Sequence, residues 1–87
     1  MTPAERFATI QQRLEKAFSP TKLEVIDDSH KHVGHVGSRD GAGHYTVIIS
    51  ADCFKNKSLI EIHRDIYKEL NDLIPQEIHA LQIKSPS

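Results

Sequence analysis

The stretch Asp27–His44, DDSHKHVGHVGSRDGAGH, separates two runs of strand periodicity and has no apolar period of its own. It holds four of the six histidines in the chain, His30, His32, His35 and His44, and all four glycines, Gly34, Gly37, Gly41 and Gly43. Before it, Lys22 to Asp27 alternates, with Leu23 and Val25 on one side and Lys22 and Glu24 on the other, which predicts a strand with one buried face. Asp27-Asp28-Ser29 ends that strand with residues that favour local side-chain hydrogen bonds. After the stretch, Tyr45, Val47 and Ile49 share one face of a second strand over 45–49. The two strands pair most simply as antiparallel neighbours. Their connection is then about a dozen residues, longer than a usual hairpin loop and of a length associated with function or mobility.

Helices flank this pair. Thr2-Pro3-Ala4-Glu5 combines a capping threonine, a proline suited to the first helical position and a glutamate that completes a capping box. Ile10, Leu14 and Ala17, with Phe7 and Phe18, fall on one face of a helix over 3–18, which Ser19-Pro20 stops. Ser58-Leu59-Ile60-Glu61 is a second capping box, and Leu59, Ile62, Ile66, Leu70 and Leu73 form the apolar stripe of a second helix. Ile78 to Ile83 reads as a third strand, placed parallel to the second by the rule for β-α-β crossovers. The expected class is α+β, in the order α-β-β-α-β, with both helices on one face of a three-stranded mixed sheet and the whole of 1–87 forming one domain.

Composition narrows the function. Eleven basic and twelve acidic residues leave a net charge of −1, so overall charge gives no footprint for non-specific nucleic-acid binding. The single cysteine, Cys53, allows no intramolecular disulfide. No apolar run approaches the roughly 20 residues of a membrane span, and the N-terminus lacks the apolar core of a signal peptide. The expectation is a cytoplasmic protein that does not enter membranes.

The candidate chemistry is carried by histidine. His63 lies at the edge of the second apolar stripe, about 60° from its centre at ~100° per residue, with Tyr67 one turn on. On spacing alone it suits a half-packed helix histidine. His30, His32 and His35 could hold Zn²⁺, Ni²⁺ or Cu²⁺ directly. His44 and His79 read most simply as structural, and Cys53 has no identifiable base beside it, which gives nucleophilic catalysis little support. Lys55, Lys57, Arg64 and Lys68 could form a small basic patch near the second helix.

Three segments go further. Asp27-Asp28-Ser29-His30-Lys31-His32, then Gly43-His44-Tyr45, then Cys53–Tyr67, CFKNKSLIEIHRDIY, with Ile78-His79-Ala80-Leu81 after it, resemble segments of the BolA-like family: an acidic-Ser-x-x-His turn, a His-aromatic start of strand 2, and a Phe…Arg-His-Arg-x-Val/Ile-Tyr signature. The resemblance covers nearly the whole chain. The chain departs where Ile62 replaces the first arginine of the signature and where Asn56 stands near a position often held by glycine. The resemblance implies a fold similar to a class II KH domain and a non-enzymatic partner of monothiol glutaredoxins, used in iron–sulfur trafficking or iron sensing. It also implies a [2Fe-2S] cluster shared with the glutaredoxin and glutathione, none being held by the isolated protein. By match, the ligands from this chain are His63 and His32, with His35 and then His30 as the next loop candidates. Alone, the chain would be a monomer or weak homodimer. Two other readings stay open: a KH-like DNA-binding transcriptional regulator using Lys55, Lys57, Arg64 and Lys68, and a histidine-loop metal binder.

Overall fold

The computed structural model describes residues 1–29 and 43–86. Helix α1 spans Pro3–Phe18 and helix α2 Leu59–Leu70; strands β1, β2 and β3 span Lys22–Asp27, Gly43–Ser50 and Ile78–Lys84. Short 3₁₀ turns at Asp52–Phe54 and Asn71–Leu73 flank α2. The sheet order is β1-β2-β3, with β1 antiparallel and β3 parallel to β2. This is the α+β, mixed-sheet arrangement expected.

Both capping boxes form. Thr2 and Ser58 accept from the amides of Glu5 and Glu61, and each glutamate accepts in return from the backbone of its cap residue. These backbone donors hold both carboxylates below the ordinary glutamate range. Their contribution is therefore complete above that range and is lost as pH falls through the lowered values.

The core lies between the helices and one sheet face. Ile10 and Leu14 from α1, Ile62, Ile66 and Leu70 from α2, Tyr45, Val47 and Ile49 from β2, and Ile78 and Ile83 from β3 are all buried together. Two assignments of the apolar pattern do not hold. Leu59 is 55% exposed, at the first position of α2, where it lines an open groove instead of the core. Ala17 is exposed as well, and the α1 stripe continues instead to Arg6, which is buried with Ile10 and Leu14 at four-residue spacing. Arg13 makes two hydrogen bonds to the Asp72 carboxylate and ties α1 to the turn after α2.

Asn56 lies in the connector before α2 with φ 67°, in the left-handed region that asparagine tolerates and β-branched residues resist. Asn56→Gly should therefore stay near wild-type stability, whereas Asn56→Val should lose about 1–2 kcal/mol. Urea unfolding of the two variants checks this; equal stabilities would show that the backbone there is not constrained.

Candidate functional site

The two ends of the histidine-rich stretch are fastened to one another. Ser29 N donates to Asp27 Oδ1 at 2.8 Å, an Asx turn that ends β1. Asp28 N donates to His44 O at 2.7 Å, His44 N to Ser29 Oγ at 3.0 Å, and Thr46 Oγ1 to the Asp28 carboxylate. Residues expected only to stop a strand thus also anchor the start of β2.

β3 meets β2 at the same place with a change of register. Gly43 pairs with Ile78, but His44 pairs with Ala80, leaving His79 as an extra residue on β3. A bulge of this kind re-aims a side chain. The ring of His79 lies 5.1 Å from that of His44, centroid to centroid, at an interplanar angle of 50°. His79 is exposed and His44 half-buried. Two imidazoles bound through nitrogen at ~2.1 Å to one tetrahedral metal hold their centroids roughly 5 Å apart. The pair therefore has the spacing of two ligands on a single ion. Sequence reading treated both residues as structural, because nothing in their separation of 35 positions brings them together; only the β2–β3 register does.

His63 has a different setting. It lies on the flank of α2, half-buried like His44, and its Nε2, shielded as that of His44 is, has no hydrogen-bond partner among the described residues. Tyr67, one turn on, sends its hydroxyl to Leu81 O at 2.9 Å, linking α2 to β3. His30, His32 and His35 lie outside the described residues, so the expected approach of His32 to His63 does too, as does a direct metal site within the stretch.

The proposed basic patch is partly neutralised. Lys57 is paired with Asp65, which holds its ammonium above the usual lysine range, and Lys55 lies 3.8 Å from Asp52. Arg64 and Lys68 are exposed. Lys55 and Lys57, with Asn56, border an open groove of about 620 Å³ that has Phe54, Leu59 and Ile62 among its apolar lining. Cys53 is exposed, with Sγ 3.6 Å from Phe18 O.

These features converge on a known family. The family model described as BolA-like protein matches residues 14–87. The chain is 41% identical over 85 residues to SufE-like protein 1, chloroplastic/mitochondrial, of Arabidopsis thaliana, covering 90% of this chain and 23% of that protein. It is 34% identical over 74 residues to the DNA-binding transcriptional regulator BolA of Escherichia coli strain K12, covering 85% of this chain and 68% of that one. The solved BolA domain of Arabidopsis SufE1 superposes with a TM-score of 0.80 at 39% identity, over 92% of this chain and 88% of that one. The chain belongs to the BolA-like family. It spans about a quarter of SufE-like protein 1 and 54% of the Arabidopsis protein BOLA1, chloroplastic. Relatives carry the names of regulators or of BolA-like proteins. The plant relatives are named chloroplastic, or chloroplastic/mitochondrial, so the expected cytoplasmic location gains nothing from them. No described helix is long and apolar enough to cross a membrane.

One signal escaped a reading centred on the histidines. Gly34-His35-Val36-Gly37 has the Gly-x-x-Gly spacing with which KH domains clamp a nucleic-acid backbone. It too lies outside the described residues.

Proposed function

We propose that this chain is a non-enzymatic adaptor that binds a monothiol glutaredoxin and co-ligates a [2Fe-2S] cluster, in iron–sulfur trafficking or iron sensing. We further propose that His79, rather than His63, presents the outward imidazole, working with a histidine of the Asp27–His44 stretch: His44 beside it, or His32 from the loop. The observation that carries this is the His44–His79 ring pair at 5.1 Å, with His79 exposed. A cluster shared between two proteins needs donors that the partner can approach. The Nε2 atoms of His63 and of His44 are both shielded from solvent and would first have to turn outward, whereas His79 is already exposed. The donor set fits the group: a [2Fe-2S] iron accepts imidazole in place of thiolate. When bound, the cluster would supply an electron-transfer or transferable iron centre, and neutral imidazole ligation raises its potential relative to thiolates. The histidines also make the site sensitive to pH near neutrality.

The test is visible circular dichroism of the chain mixed with a monothiol glutaredoxin, glutathione, iron and sulfide. His79→Ala should abolish or reshape the heterodimer's cluster spectrum, and His63→Ala should leave it intact. The reverse result would return the ligand role to His63. His32→Ala and His44→Ala, run alongside, separate the two candidates for the second ligand.

A second reading, a KH-like DNA-binding regulator, draws on the name of the E. coli relative and on Gly34-His35-Val36-Gly37. The net charge of −1 and the pairing of Lys55 and Lys57 weigh against it. If it holds, affinity for duplex DNA falls with salt, and Arg64→Ala with Lys68→Ala lowers the log–log slope by about one for each phosphate no longer neutralised. No affinity, or affinity indifferent to salt, ends it.

A further inference from the structure

We infer that Arg6 is a positioning residue for the histidine pair: from the helix side of the sheet it holds the β3 bulge that sets His79 beside His44. A buried arginine is costly unless it is paired, and Arg6 is only 6% exposed. Its Nε donates to Glu77 Oε1 at 3.2 Å. Burial alone would weaken the guanidinium's charge, but Tyr45 and Glu77 more than offset it, and its pKa is raised.

The placement of these two partners gives the inference its content. Tyr45 follows His44 on β2. Glu77 precedes Ile78 and His79, and its carbonyl accepts from Gly43 N at 2.9 Å. Arg6 therefore reaches, through two neighbours, the residues bordering each histidine where β3 changes register. Tyr45 Oη is buried and meets no hydrogen-bond geometry with a described atom, yet it sits in the field of Arg6, Asp27 and Glu77. A fixed guanidinium there favours one placement of the Glu77 backbone, and with it one placement of the bulge. α1 thus contributes to a site formed by strands on which it carries no ligand. The purpose of the device rests on the proposed cluster site; its geometry does not.

The test uses nuclear Overhauser effects between the two imidazole rings in the labelled, full-length chain. Wild type should show them at a centroid separation of 5.1 Å; their absence there would overturn the pair and the inference together. Arg6→Met, which keeps the apolar stem, should lose most of this signal, and Arg6→Lys should recover part of it. Arg13→Met, which removes the ion pair from α1 to Asp72, should retain it in full and so controls for loss of helix docking. Should Arg6→Met fail to fold, Glu77→Gln decides by the same signal. A wild-type signal in Arg6→Met, or in Glu77→Gln in that case, overturns the inference. Cluster assembly with the glutaredoxin is then recorded on the same variants. Disappearance of the ring-to-ring signal with an unchanged cluster spectrum would keep the positioning role and remove His44–His79 as the cluster site.

Discussion

Gly43→Ala is expected to cost about 2–3 kcal/mol, the upper part of the range for forcing extra volume into a packed site. A Cβ at this position would overlap Cε2 of Tyr45 and stand 2.7 Å from its Cζ and Oη. Neither side can yield easily. The Tyr45 ring is 2% exposed and enclosed by the core. The Gly43 backbone is pinned by its bond to Glu77 O and by its pairing with Ile78. Against a total stability of roughly 4–13 kcal/mol for a chain of this length, the loss is large. Urea unfolding should show a lower midpoint with an unchanged slope. Because the clash is with one ring, Tyr45→Leu should remove most of the penalty, giving a coupling of about 1 kcal/mol or more in the double-mutant cycle. A Gly43→Ala variant within about 0.5 kcal/mol of wild type would mean that the ring does not sit over this glycine. The effect also bears on function, since Gly43 leads directly into His44 and into the register change that places His79.

Much of the fold was legible because local rules and global packing agree. Thr2-x-x-Glu5 and Ser58-x-x-Glu61 marked both helix starts, and both boxes form. The alternation Tyr45-x-Val47-x-Ile49 marked the buried face of β2, and all three side chains are buried. Periodicity failed where apolar character and burial part company. Leu59 continues the α2 stripe on paper but occupies its first, solvent-facing turn. Arg6 breaks the α1 stripe by charge yet is buried in it, because Glu77 and Tyr45 compensate for the lost water. No local pattern could have signalled that pairing across 71 residues.

The candidate site was half legible, for a related reason. The clustering of histidines in Asp27–His44 drew attention to the end of the sheet where His44 and His79 meet. The assignment of His63 with His32 followed from signature matching, and the approach of the two lies outside the described residues. His79 had no signal of its own. Its relation to His44 arises from a one-residue register shift, and a shift of that size moves a side chain without altering hydrophobic pattern enough to be read.

The stripe of α2 offers the clearest separation of pattern from packing. Ile66→Ala is expected to cost about 3–4 kcal/mol, within the range for truncating a fully buried aliphatic side chain. Ile66 is 0% exposed and lies between Ile62 and Leu70, facing the core shared with Ile10, Leu14, Val47 and Ile49. Truncation removes transfer free energy and leaves a cavity that helices docked on a paired sheet can collapse only in part. Leu59 belongs to the same apolar series by sequence, but at 55% exposure Leu59→Ala should shift stability by no more than about 0.5 kcal/mol. Equal losses would mean that the helix is rotated from the orientation described, and with it the shielding of His63. The two variants also probe the site. The hydrogen bonds described around the histidine pair come from β2, β3 and the Asp27–Ser29 turn, so the ring-to-ring signal of His44 and His79 should persist in Ile66→Ala wherever the protein remains folded. If it vanishes while the fold survives, α2 contributes to the site, and His63, on that helix, again becomes the histidine to pursue.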